Sequence, residues 1–293
     1  DRAEVAAIEE RSMIVAQITD LHVRPPGRTA YGRVDTNTML AAAVAALEAL
    51  PRKPDLVIAT GDLTDCGLVE EYKVLRALLE LLSMPVYLVP GNHDRRAELY
   101  AEFASEGYLN SDGGFLHYAV DTHAVRLIGL DTVVPGQGHG EMCPARLAWL
   151  AARLEEQPDR PTMIFMHHPP FRTGLVDMDN INCRNGVSMA NLLRRYDNVE
   201  RVVCGHHHRP ITTRWAGTIG SVAPSTAHQV TLDLVSDGGP ATFSMEPPGL
   251  HLHLWSHDTG LVTHGVQIGD FEGPFPFVLD ADYPGRTAKA EAA

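Results

Sequence analysis

Six short runs of apolar residues between Met13 and Cys204 constrain the fold of this chain more than any other feature. They read "MIVAQI", "DLVIA", "PVYLV", "VRLIGL", "TMIFM" and "RVVC". They are strand-length, and they are apolar nearly throughout rather than alternating, so both faces of each strand must be covered. The cover lies between the runs. "DTNTMLAAAVAALEAL", "LVEEYKVLRALLELL", "CPARLAWLAARLEEQ" and "VSMANLLRRY" read as amphipathic helices. Strand and helix in turn, with buried strands, is the pattern of an α/β sheet wrapped in helices.

From Ile211 onward the pattern changes. "TTRWAG", "HQVTLDL", "LHLHLWS" and "LVTHGVQI" alternate in strand fashion with no helix between them. The chain therefore divides into an extension over 1–12, a main α/β domain over 13–210, and a β-rich region with a tail over 211–293. In that last region "FEGPFPFVLD" reads as an extended arm whose three Phe residues call for burial against the chain itself or a second copy. The formal net charge of −13 opposes binding to a polyanion, so no nucleic-acid partner is expected. No apolar run is long enough to span a bilayer and no charged-then-apolar leader opens the chain, which reads as a cytoplasmic protein without a membrane partner. Cys66, Cys143, Cys183 and Cys204 show no CxxC spacing and are expected as reduced thiols.

The polar outliers fall just past the strand runs, where α/β folds keep their ligand sites. "TDLH" brings Asp20 and His22, "GDLTD" Asp62, "PGNHD" Asn92 and His93, "HHPP" His167, and "GHHH" the triplet His206, His207 and His208. Aspartate, histidine and an asparagine carbonyl form a nitrogen and oxygen donor set suited to Mn, Fe, Co or Zn. These donors exceed one four-ligand site and fit two metals sharing a carboxylate.

The ordered series D-x-H, G-D, G-N-H-D, a later His and G-H-x-H over residues 13–210 resembles the calcineurin-like metallophosphoesterases. "AYGRVDTN", "DCGLVEEYKVLR", "LVPGNHD", and "IFMHHPP" followed by "DMDNINCRNG", resemble the bacterial glycerophosphodiesterases most, with class III cyclic nucleotide phosphodiesterases beside them. The resemblance implies a four-layer α/β/β/α sandwich with a C-terminal β-rich extension. It implies two divalent or trivalent transition-metal ions, one held by Asp20, His22, Asp62 and His208, the other by Asp62, Asn92, His167 and His206. Two such cations about 4 Å apart share a hydroxide that attacks a small phosphate diester, so no protein nucleophile is needed. It places Asn92 and His93 beside the phosphate, where His93 can stabilise developing charge or donate a proton to the leaving oxygen, and His228 near the substrate. It also implies that the C-terminal region walls the pocket and builds a homo-oligomer.

Other residues carry plainer readings. His206 and His208 are expected to alternate onto one side of an extended segment, with His207 pointing away. Asp94 is expected to orient a neighbouring histidine from behind. Asp65 stands where purple acid phosphatases carry an iron-binding Tyr, which argues against a coloured centre. His168 reads as a packed neighbour, and His251 and His253 as alternation on an exposed strand. Arg95 and Arg96 read equally as attractors of an anion or as a solvated helix start. The competing functions are a scaffold that keeps the fold without catalysis, and a monoesterase or nuclease of the same superfamily. A scaffold has no need of the whole ligand set and His93, which this sequence retains.

Overall fold

Each apolar run forms a strand. The computed structural model describes residues 12–110, 114–235, 239, 241–278, 280 and 283. Strands β1 (Met13–Ile18), β2 (Leu56–Thr60) and β3 (Val86–Val89) lie parallel in one sheet. Strands β4 (Tyr118–Val120), β5 (Arg126–Leu130), β7 (Thr162–Met166) and β9 (Val199–Cys204) lie in a second, with β5, β7 and β9 parallel and β4 antiparallel at its edge. Two-residue strands β6 (Gly140–Glu141) and β8 (Cys183–Arg184) pair separately.

The alternation of side chains along the second sheet shows how the layers stack. Leu127, Met163, Phe165 and Val203 share one apolar cluster with Val15, Val57, Ala59 and Leu88 of the first sheet. Their immediate neighbours Ile128, Leu130, Ile164, Met166, Val202 and Cys204 point the other way, into a cluster with Leu150, Leu154, Met189 and Leu193. Those four belong to helices α4 (Pro144–Glu156) and α6 (Gly186–Leu193), between which sits the single turn α5 (Val176–Asp179). Helices α1 (Thr36–Glu48), α2 (Val69–Leu79) and α3 (Arg96–Phe103) supply Leu40, Val44, Leu47, Tyr72, Leu75 and Leu99 to the first sheet. The architecture is the four-layer α/β/β/α sandwich. Local chemistry sets the helix starts: Asp35 accepts a hydrogen bond from the amide of Thr38 at the head of α1, and Pro144 opens α4, where no amide is required.

The strands after residue 210 enter both sheets. β10 (Ile211–Trp215) and β11 (Thr218–Val222) extend the second sheet beyond β9. β12 (Gln229–Val230) and β13 (Phe243–Ser244) form a small hairpin. β14 (Gly249–Ser256) pairs antiparallel with β1 and β15 (Gly260–Gln267) with β14, giving the first sheet the order β15-β14-β1-β2-β3. The expectation of an exposed strand for His251 and His253 is corrected here. β14 is interior to the sheet and the two histidines are buried, because their faces turn toward the second sheet. In the arm, Phe271, Phe275 and Phe277 remain 63, 73 and 99% exposed. The extension over 1–11 and the final "RTAKAEAA" lie outside the described residues.

If β14 belongs to the same cooperative unit as the α/β core, cutting the buried Leu250 back to Ala should cost about 2–5 kcal/mol. Urea unfolding followed by far-UV circular dichroism should show a single transition at lower denaturant, with no separate phase for the C-terminal hairpin.

Candidate metal centre

The ends of β1, β2 and β3 in one sheet and of β7 and β9 in the other bring the expected polar residues to one place. The local backbone is unusual there. Asp20, His22, Asp62, His206 and His208 all have positive φ, between 46 and 71°. Left-handed conformations cost a non-glycine residue roughly 1–2 kcal/mol each, and clusters of them accompany functional sites. The triplet is thus a bent segment with left-handed residues at His206 and His208, which corrects the expectation of extended alternation. The neighbouring glycines are required by close approach. A Cβ on Gly91 would lie 2.2 Å from the Asp62 amide, and one on Gly205 2.0 Å from the Thr19 hydroxyl.

Two groups of donor atoms share Asp62. On one side, Nε2 of His208 lies 3.2 Å from Asp20 Oδ1 and 3.3 Å from Nε2 of His22, which lies 3.8 Å from Asp62 Oδ2. On the other, Nε2 of His167 lies 3.3 Å from Asp62 Oδ2 and 3.2 Å from Asn92 Oδ1. His206 packs its ring 5.0 Å from that of His167. The second ring nitrogens have acceptors of their own. Nδ1 of His22 meets Asp65 at 3.2 Å, Nδ1 of His167 the Thr60 carbonyl at 2.8 Å, Nδ1 of His208 the His228 carbonyl at 2.9 Å, and Nε2 of His206 the Ile181 carbonyl at 3.1 Å.

In a neutral ring a nitrogen facing a carbonyl or carboxylate carries the proton, and the opposite nitrogen offers its lone pair to a cation. Nε2 of His22 and Nε2 of His208 then face each other across the position such a cation would take. Ligands about 2.1 Å from a tetrahedral ion are spaced about 3.4 Å apart, close to the separations found. The donor set fits metal ions. Burial pushes the Asp62 carboxyl upward, but His167, His93 and His22 hold it well below the usual carboxylate range. Burial opposes charge on His167, yet Asp62 and Asp20 bring it up to about 9.

His93 sits at the rim. Its Nδ1 donates to the Asp65 carbonyl at 2.7 Å, its amide donates to Asp62 Oδ1 at 2.9 Å, and its Nε2 stands 4.0 Å from Asp62 Oδ2. His228 lines the same cavity of about 200 Å³, with His22, Asp62, Asn92, His93, His206 and His208 at the floor. Its ring lies 5.1 Å from Tyr31 and 5.0 Å from Phe243. Burial, with His208 and His22 beside it, lowers His228 to about 3. Tyr31, from within "AYGRVDTN", and Phe243, which carries no motif, are residues of the site that no spacing announces. Arg24 is equally unannounced behind it, with Nη1 3.2 Å from Asp65 and 2.7 Å from Glu71.

The remaining expectations resolve individually. His207 is buried off the cluster, bonded to Thr173 at 3.0 Å and Asn182 at 2.7 Å. His168 is buried beside His167 and His206, and its Nδ1 meets Thr132 at 2.7 Å. Arg96 is committed to Asp131, so it is not a free attractor of anions. Asp94 touches no histidine by hydrogen bond, which corrects that reading. It accepts instead from the amides of Leu63, Thr64 and Gly91 and the hydroxyls of Thr64 and Tyr72, at 2.8–3.1 Å. A short acid two residues past Asn92 reaches the backbone of the neighbouring loop before it reaches any ring.

The family described as calcineurin-like phosphoesterase matches residues 13–210. The chain is 41% identical to a probable glycerophosphodiester phosphodiesterase of Arcobacter nitrofigilis, over 90% of this chain and 97% of that protein. It is 28% identical to a 3',5'-cyclic adenosine monophosphate phosphodiesterase of Escherichia coli K12, over 78% of this chain and 84% of that protein. A dimetal phosphatase from Danio rerio shares the fold at a TM-score of 0.62 and 15% identity, over 88% of this chain and 99% of that one.

Asp94 joins the loop carrying Asp62 to the loop carrying Asn92 and His93. Asp94→Ala strands several buried donors, and a loss of about 3 kcal/mol is expected. Thermal unfolding measures that loss, and reduced metal uptake by the folded fraction should accompany it.

Proposed function

The chain belongs to the calcineurin-like phosphoesterase family, and on that premise we propose that it hydrolyses small phosphate diesters of the glycerophosphodiester type with two transition-metal ions. The observation that carries this reading is the donor group Asp20, His22, Asp62 and His208, with His167 and Asn92 meeting at the other side of the same Asp62, beneath one small cavity. Asp20, His22, Asp62 and His208 would hold one ion, and Asp62, Asn92, His167 and His206 the other. Mn, Fe, Co and Zn all suit this donor set. When bound, the ions supply the nucleophile and neutralise charge on the phosphate.

The protein's own groups do the rest. His93, with Nδ1 spent on the Asp65 carbonyl, keeps Nε2 as the single atom that exchanges a proton with the leaving oxygen. Burial opposes charge on that ring, while Asp62 and Asp65 favour it. Asn92 and His93 orient the phosphate, and neutral His228 borders it. Tyr31, Phe243, Met178 and Ile181 wall the cavity and exclude water from the alcohol portion. The identity to the Arcobacter protein, over nearly its whole length, favours a glycerol diester over a cyclic nucleotide.

The net charge of −13 opposes nucleic acid as substrate, and no helix among the described residues is long and apolar enough to cross a membrane. A cytoplasmic setting suits such a substrate. The exposed Phe275 and Phe277 support a homo-oligomer in which the arm is covered by a second copy. Light scattering at micromolar concentration should therefore give at least a dimer, and truncation after Phe271 should weaken it.

Metal analysis together with a panel of diesters and monoesters tests the reading, with two metals per chain and preference for glycerol diesters as the expected result. His93→Ala should keep both metals and lose on the order of 10²- to 10⁴-fold in rate with poor leaving groups. The loss should shrink for p-nitrophenyl diesters, whose leaving group scarcely needs a proton. Loss of metal from this variant would assign His93 as a ligand instead.

A further inference from the structure

A buried chain of hydrogen bonds crosses the interior of the sandwich and ends at the metal-facing ends of two strands. Arg201 on β9 donates to the Thr263 hydroxyl on β15 and, through its other terminal nitrogen, to the Leu261 carbonyl at 3.1 Å. The Thr263 hydroxyl lies 2.8 Å from Nδ1 of His253, and Nε2 of His253 lies 3.1 Å from Oε1 of Gln17. The amide nitrogen of Gln17 then donates twice, to the Thr60 hydroxyl at 3.0 Å and to the Cys204 carbonyl at 2.9 Å. Gln17 and His253 are fully buried. The donors can all point one way. Thr263 accepts from Arg201 and gives its proton to His253, and His253 gives the proton on Nε2 to the oxygen of Gln17.

The two acceptors of Gln17 sit where the two halves of the centre begin. Thr60 ends β2 two residues before Asp62, and its carbonyl receives Nδ1 of His167 at 2.8 Å. Cys204 ends β9 two residues before His206, and the following Gly205 amide donates to the His167 carbonyl at 3.0 Å. Thr60 belongs to one sheet and Cys204 to the other. One amide group therefore pins both sheets at the edge where Asp62 from one must meet His167 and His206 from the other. A buried amide left unsatisfied costs a few kcal/mol, so the sheets are held at the one spacing that satisfies both hydrogens.

We propose that Gln17 is a positioning residue for the dinuclear centre: it fixes the distance between the sheets at the second metal position, and His253 of the C-terminal hairpin holds its amide in the working orientation. This rests on the dinuclear reading above. The first group of donors is less dependent on it, because three of its four members, Asp20, His22 and Asp62, lie on the first sheet's own strand ends, joined by the Asp20 amide to the Gly61 carbonyl and the His22 amide to the Asp62 carbonyl, and only His208 comes from the second sheet. The second group draws His167 and His206 from the opposite sheet.

Calorimetric titration of the chelator-stripped full chain with Mn²⁺ alone separates the two positions. Gln17→Leu and the nearly isosteric Thr60→Val should each weaken the second equivalent by about 10- to 100-fold and leave the first within about twofold, as loss of outer hydrogen-bonding partners does. Thr60→Ser, which keeps the hydroxyl, should restore the second equivalent. In turnover at a fixed Mn²⁺ level below the weakened affinity, kcat should fall with KM little changed. Wild-type affinity for both equivalents in Gln17→Leu and Thr60→Val would overturn the inference, as would equal weakening of both equivalents, which marks general loosening of the fold. A wild-type chain that takes up no second equivalent would overturn the dinuclear reading and this inference together.

Discussion

The carboxylate of Asp62 is the interaction on which the rest of this structure depends. It is 2% exposed, and an isolated carboxylate so placed would be very costly. The sequence around it answers that cost from both sheets. The His93 amide donates to one oxygen, while His167, His22 and His93 approach the other within 3.3–4.0 Å. These partners come from β1, β3 and β7, so compensation of one charge requires three strands to end at the same height. The parallel arrangement provides that, since parallel strands present their carboxyl ends together.

Left-handed backbone at Asp20, His22, Asp62, His206 and His208 is the geometric consequence. A strand that simply continued would send alternate residues to opposite faces, and Asp20 and His22, two residues apart, would leave together on one face of the sheet. A left-handed residue turns the chain sharply and aims the side chain across the strand end instead. The strain is held by specific bonds. The Asp20 amide is tied to Gly61, the His22 amide to the Asp62 carbonyl, and the His206 amide to both oxygens of Asp20 at 3.0–3.1 Å. The groups that would chelate a metal are thus also the groups that lock one another's backbone.

That arrangement explains what could be read from the sequence. The strands of "MIVAQI", "DLVIA", "TMIFM" and "RVVC" were legible because burial on both faces leaves a continuous apolar signature, and the polar residues at their ends were legible because each breaks that signature abruptly. The short β4, β11 and β13 left no such trace. The roles of Asp94 and of the triplet's backbone were not legible, because a carboxylate two residues from a ligand can turn toward a ring or toward a neighbouring amide, and spacing alone does not decide. His251 and His253 were misread as exposed for a related reason. Alternating His and Leu in "LHLHLWS" resembles a half-wet strand, and only its place in the sheet shows that the histidine face is the one buried between the sheets. Gln17 was in plain view as the one amide inside an apolar run, where a polar group needs a partner that the sequence cannot name.

The pairing of β14 with β1 bears on where the functional unit ends. The family match stops at residue 210, before β14 begins. Without β14, β1 would be an edge strand, with the unpaired amides and carbonyls that edges expose. β1 leads directly into Asp20 and His22 and carries Gln17. The ladder from Met13↔Trp255 to Gln17↔His251 covers that edge up to three residues from Asp20. The buried polar atoms of Gln17 then find His253 only because the hairpin is there. Residues 249–267 hold no proposed ligand, yet they set the rigidity of the strand that delivers two of them. The site is consequently a property of both sheets and of the C-terminal hairpin, although the motifs that announce it all lie upstream.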